Sequence, residues 1–128
     1  MTKAIKTGTI LIAEGILLPA SLLFESEPYA PGWRLVKNLD SQGANQKIIT
    51  AGWNFFYMAG LLKASVFGFD EEKATRQAIK QVIASRKSKY FNCLEITQVD
   101  GKRFLGLPYV SLSAHSRHIQ KTAILFEG

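Results

Sequence analysis

Cysteine is nearly missing from this chain of 128 residues. Cys93 stands alone, so no disulfide can form within the chain, and no oxidising compartment is indicated. Histidine is almost as scarce: His115 and His118 are the only two, and neither C-x-x-C nor H-E-x-x-H accompanies them. G-x-G-x-x-G, G-x-x-x-x-G-K-[ST] and G-x-S-x-G are also missing. Dinucleotide oxidoreduction, P-loop nucleotide hydrolysis and α/β-hydrolase chemistry thereby lose their usual support. Of the ten carboxylates, only Glu14 and Glu95 sit within apolar segments expected to be strands. A composition of 47% hydrophobic and 20% charged residues excludes disordered, collagen-like and coiled-coil classes.

What is present suffices for a single domain over 1–128 and is too short for two. A chain of this length buries roughly two-thirds of its unfolded surface, enough for a core without disulfide or metal. The chain is basic, and its formal charge of +6 permits acidic partners without requiring one. Two apolar stretches resemble membrane or export segments. Ile10–Phe24 contains Glu14 and Pro19, and Ala51–Phe69 contains Asn54 and Lys63 and three glycines. A lysine near mid-bilayer costs about 2.5–3.5 kcal/mol on the insertion scale. Both stretches therefore read as buried strands of a soluble, cytoplasmic protein with no membrane partner.

Thr7–Ala13 and Ala20–Glu25 form a candidate strand pair, followed by a loop over 26–32 where Pro28, Pro31 and Gly32 forbid regular structure. Trp33–Val36 returns to a strand. A short helix is expected over Leu39–Gly52, with Asp40 or Ser41 as its N-cap and Gly52 as its stop. Trp53–Met58 and Leu61–Phe67 then read as two strands joined by a turn at Ala59-Gly60. A long helix over 45–69 is the rival, but its aromatics would fill every angular sector and leave no polar face.

Asp70–Tyr90 is an amphipathic helix. Asp70 caps it, Glu71 and Glu72 suit the positive end of the dipole, and Arg86, Lys87 and Lys89 suit the other end. Ala74, Ala78, Ile79, Val82 and Ile83 recur at three- and four-residue spacing on one side. Phe91–Val99 alternates next, with Leu94 and Ile96 on one face and Cys93, Glu95 and Thr97 on the other. Asp100-Gly101 predicts a type I′ hairpin turn, with the partner strand starting at Arg103. Pro108 marks an edge or a bulge. Tyr109–Arg117 places Val110, Leu112 and Ala114 on one face and Ser111, Ser113, His115 and Arg117 on the other. Thr122–Phe126 adds a last strand.

Hairpins on either side of two helices define an α+β class: a largely antiparallel sheet built from hairpins, with two helices, in a single domain. Aromatics make up 11% of the chain and concentrate in the expected strands, which points to a curved sheet or a subunit interface. A homo-oligomer is expected.

The row Ser111, Ser113, His115 and Arg117 presents hydroxyls, an imidazole and a guanidinium on one strand face, with Glu95 as a neighbour across the sheet. Such a row can hold a small anionic ligand or a protein partner, or be the wet side of a strand. On a strand, His115 and His118 point to opposite faces, and too few further ligands lie nearby for a metal. No cofactor is expected. A Cys93–His115 pair would need an activated thiolate, whereas a lone cysteine in an apolar strand is ordinarily a small core residue. Lys73, Arg76, Lys80 and Lys87 give the helix a cationic face that could contact phosphates without reading sequence, or simply be solvated.

The stretches Gly52–Gly60, Phe91–Thr97, Arg103–Val110 and Ser113–Gln120 resemble a group of small uncharacterised bacterial proteins with no assigned function. The resemblance touches most of the chain after residue 50. It implies a bacterial cytosolic protein and carries over no activity, cofactor or site. The reading is therefore a soluble, non-enzymatic binding or interaction domain that self-associates. Its alternatives are a small enzyme using His115 as acid/base, with Glu95 or Cys93 beside it, and a non-specific nucleic-acid binder using the basic helix face.

Overall fold

The computed structural model describes residues 5, 7–16, 28–36, 48–50 and 52–121. Five strands form one sheet: β1 (Ile10–Ala13), β2 (Trp33–Leu35), β3 (Trp53–Phe67), β4 (Cys93–Phe104) and β5 (Leu107–Lys121). Their spatial order is β2-β1-β4-β5-β3, every neighbouring pair being antiparallel. The helix α1 (Glu71–Ser85) leaves β3 and leads into β4. Because β5 lies between them and runs against both, β3 and β4 are parallel, and β3–α1–β4 is a crossover with one strand inserted. Residues 48–50 are helical and Gly52 ends that turn, its N–H donating to the Ile49 carbonyl at 2.9 Å. The chain is α+β, as expected.

The helix forms where its signals lie. The Asp70 side chain accepts from the Lys73 N–H at 2.8 Å, and Ala74, Ala78, Ile79 and Val82 are buried. Ala78, Ile79 and Val82 meet Leu11, Trp33, Leu94, Ile96, Leu112 and Ala114 in the main core, on what we term the inner face of the sheet. A smaller apolar cluster of Ile10, Ile12, Val36, Ile48, Cys93 and Ile119 covers one end of the outer face. Strand β1 is buried on both sides, since Leu11 belongs to the first cluster and Ile10 and Ile12 to the second. Gly68 lets β3 run close under the helix: a Cβ there would stand 2.8 Å from the Ala74 backbone nitrogen.

Three expectations about element boundaries are corrected. First, 53–67 is one strand of fifteen residues, not a hairpin turning at Ala59-Gly60. Strand β5 is equally long and offers pairing from Trp53↔Lys121 to Phe67↔Tyr109. The irregularity survives only as register shifts between Phe56 and Met58 and between Met58 and Leu61.

Second, the β4–β5 turn falls at Leu105-Gly106, with Asp100-Gly101 inside β4. Both Leu105 (φ 53°) and Gly106 (φ 84°) have positive φ, as a type I′ turn requires. A turn at Asp100-Gly101 would leave Val110, Leu112 and Ala114 without partners on β4. The later turn sets them opposite Gly101, Val99 and Ile96, and the gain in buried apolar pairing outweighs the local turn preference. Pro108 consequently sits just past a turn, opposite Arg103.

Third, α1 stops at Ser85 rather than Tyr90, so Lys87 and Lys89 lie beyond it. Arg86 is its C-cap, donating to the Phe91 carbonyl at 2.5 Å with its guanidinium 5.1 Å from the Trp33 ring centre. The strands expected at Ala20–Glu25 and Thr122–Phe126, and most of the helix expected over 39–52, lie outside the described residues. Among the described residues no helix is long and apolar enough to cross a membrane.

Candidate functional site: the outer face of β4, β5 and β3

Residues opposite one another in an antiparallel sheet share a face, so the register fixes what surrounds the Ser111–Arg117 row. On β4, Asp100 faces Ser111, Gln98 faces Ser113, Glu95 faces His115 and Cys93 faces Arg117. On β3, Ser65 faces Ser111, Lys63 faces Ser113 and Leu61 faces His115. The shift between Ile96 and Gln98 leaves Thr97 as the extra residue of a bulge, and it keeps Glu95 and Gln98 on one face although three positions separate them. The expected alternation of β5 is met: Leu112 and Ala114 enter the core beneath α1, while the polar row faces out.

The structure brings Glu95, His115 and Arg117 together. Arg117 Nη2 lies 2.9 Å from Glu95 Oε1, and the guanidinium carbon stands 5.3 Å from the centre of the Phe55 ring. The side chains of Arg117 and Glu95 are only 29% and 20% exposed, so the pair is partly shielded from water. His115 Nδ1 and Arg117 Nε are buried and have no hydrogen-bond partner among the described residues. Further along, Ser65 and Ser111 share a hydroxyl hydrogen bond of 2.7 Å, and Gln98 Nε2 donates to Asp100 Oδ2 at 3.0 Å. Ser113 is buried, whereas Lys63, Ser65, Gln98, Asp100 and Lys102 around the row are exposed.

Electrostatically the row differs from a bare anion trap. Arg117 spends its charge on Glu95, so an incoming anion must compete with a carboxylate already in place. What remains is a mixed set of donors and acceptors: guanidinium, carboxylate, imidazole and hydroxyls. Sequence reasoning found Glu95, Ser113, His115 and Arg117 but missed Phe55, Lys63 and Ser65. Those come from β3, whose register against β5 no local signal reveals.

The remaining candidates are arranged differently. Cys93 is fully buried, and burial pushes its thiol well above its ordinary pKa, outweighing the opposite pull of Arg117. His118 lies away from His115, stacked on Tyr90 at 3.8 Å with Nδ1 2.7 Å from the Tyr90 carbonyl oxygen. Among the described residues no three His, Cys, Asp or Glu side chains come together as a metal site. On the helix, Lys73 and Lys80 are exposed. Arg76 is engaged: it donates to the Tyr29 carbonyl, lies 4.2 Å from the Tyr29 ring centre and approaches Glu72 at 4.0 Å. A cleft of about 340 Å³ opens elsewhere, lined by Glu71, Gly101, Lys102, Arg103, Pro108 and Val110.

Fold and site together define an α+β domain with a polar row on an antiparallel sheet face. No family model, no curated protein and no solved structure matches this chain.

Proposed function

We propose that this chain is a small cytoplasmic, non-enzymatic binding domain that self-associates and uses the row Ser111, Ser113, His115 and Arg117, with Glu95, to hold a protein segment. The observation that carries this reading is the 2.9 Å Glu95–Arg117 pair, partly open to water, beside the half-buried His115. A neutralised pair flanked by an imidazole and hydroxyls suits the alternating donors and acceptors of a polypeptide better than a lone anion. Large apolar side chains left exposed on the same face, Leu61, Phe67, Phe104 and Leu107, support self-association. The buried, protonated Cys93 argues against thiol catalysis, and the engaged Arg76 weakens the phosphate-binding face built on Lys73, Lys80 and Lys87.

A displayed random-peptide library panned on the immobilised chain tests the row. Selected peptides should bind the wild type and lose roughly tenfold or more in affinity to His115→Ala plus Arg117→Ala. Equal binding to both proteins overturns the reading. So does a melting temperature raised by inorganic phosphate alone and not by any selected peptide.

A further inference from the structure

Strand β3 ends the sheet, with β5 on one side and no described strand on the other. Its register fixes which backbone groups face outward. Phe104 and Leu107 flank a two-residue turn and so exchange hydrogen bonds, and beyond them Tyr109, Ser111 and Ser113 bond towards β4. Val110, Leu112 and Ala114 therefore bond towards β3, where Val66, Ala64 and Leu62 are their partners. The N–H and C=O groups of Leu61, Lys63, Ser65 and Phe67 point away from the sheet, and all four residues are exposed.

Other open edges of the sheet are blunted. Strand β2 is three residues long. Beyond Ile96, where its bonds to Gly8 and Thr9 end, β4 carries the bulge at Thr97 and the charges of Asp100, Lys102 and Arg103. Residues 61–67 contain neither a bulge nor a proline, and Lys63 is their only charge. A regular, largely apolar edge of this length is a template for another strand.

The flank of α1 above this edge is also uncharged. Arg76 donates to the Tyr29 carbonyl and approaches Glu72, so both lean towards the β1–β2 side. At 3.6 residues per turn, Gln77, Gln81 and Ser85 fall on the other flank, above β3, with Lys73 and Lys80 between the two flanks on the outer side. Asp70 is turned onto the Lys73 N–H, and Glu71 adjoins Gly101 of β4. In a chain of formal charge +6, this side of the domain carries one lysine. Depletion of charge of this kind marks the centre of an interface.

We infer that two copies of the chain dimerise by pairing β3 with β3, antiparallel, about a two-fold axis at Ala64, so that the two sheets become one. The inference rests on the proposed self-association and adds its strand and register. An axis there sets Leu61 opposite the partner's Phe67 and Lys63 opposite the partner's Ser65, so outward-pointing groups meet each other throughout. It covers two large apolar side chains that are 45% and 50% exposed, Leu61 and Phe67. Moving the axis to Lys63 brings lysine against lysine, and moving it to Ser65 brings Lys63 against the partner's Phe67. On the inner face Leu62 meets the partner's Val66, and since both residues pack against the main core, the two cores join.

Sedimentation equilibrium of the full chain tests the pairing, with Leu61→Lys as the variant. That side chain is exposed on the outer face, so the circular dichroism spectrum should be unchanged. The expected result is a wild-type dimer and a variant whose dissociation constant rises by roughly tenfold or more. Register is tested by mixing Lys63→Cys with Ser65→Cys. Their Cα atoms would stand about 5.5 Å apart across the axis, so a mixed disulfide should form faster than either variant forms one alone. A wild-type dimer that is indifferent to Leu61→Lys, or that yields no such mixed disulfide, overturns the shared edge and leaves self-association standing. A wild type that remains monomeric overturns both.

Discussion

Glu95 reaches diagonally past its direct neighbour His115 to meet Arg117, whose own cross-strand partner is Cys93. The contact therefore depends on the register of β4 against β5: a slip of one residue would send the two side chains to opposite faces. It also turns the most basic group of the row into half of a neutral pair, which decides the kind of partner the row suits.

Glu95→Gln should lower stability by about 1–2 kcal/mol, because it leaves a partly shielded guanidinium without its counter-charge. Arg117→Gln should cost a similar amount, and the double variant less than the two together. Urea unfolding of all four proteins measures the coupling. Strictly additive losses would mean that the ion pair contributes nothing to the fold.

Gly68→Ala should destabilise by about 1–3 kcal/mol, since its methyl would press on the Ala74 backbone, which cannot swing aside as a side-chain end can. Gly60→Ala is the matched control. Its new methyl meets nothing within 4 Å, so its effect should stay within about 0.5 kcal/mol. Thermal unfolding of the two variants checks the contrast, and equal losses would contradict the close approach of β3 to α1.

Burial of Cys93 makes stability depend on pH on the alkaline side. Its thiol pKa is raised in the folded state, so the folded protein holds the proton more tightly than the unfolded chain does. The associated stability is fully present below the unfolded thiol pKa of about 8.5 and falls above it, by roughly 1 kcal/mol per pH unit. Urea midpoints measured from pH 7 to about 10 should decline more steeply for the wild type than for Cys93→Ala. Identical slopes would show that the thiol titrates in the folded state much as it does in the unfolded chain. An aromatic disulfide reagent should label Cys93 only as fast as the protein opens.

Much of the architecture was legible locally. Asp70 as a cap and the spacing of Ala74, Ala78, Ile79 and Val82 specify α1 without reference to the rest of the fold. The alternation from Tyr109 to Arg117 likewise assigns each residue of that stretch to a face, because a strand has period two whatever lies beside it. The sorting of Leu94 and Ile96 from Cys93 and Glu95 follows in the same way.

Where strands begin, turn and pair was a different matter. Asp100-Gly101 is the better turn by local chemistry, yet the chain turns at Leu105-Gly106, because only that choice brings Val110, Leu112 and Ala114 beside β4 and beneath the helix. Ala59-Gly60 could turn as well, but the full length of β5 holds 53–67 extended. By itself the sequence determined the class of fold, the helix and the residues on each face of β5, all of which rest on short-range periodicity and backbone preference. Only the tertiary structure decided that Arg117 is shared with Glu95 and Phe55, and that Phe67 packs beside Phe104 and Tyr109. Those contacts join residues far apart in the chain, and their energies depend on a register that the whole core selects at once.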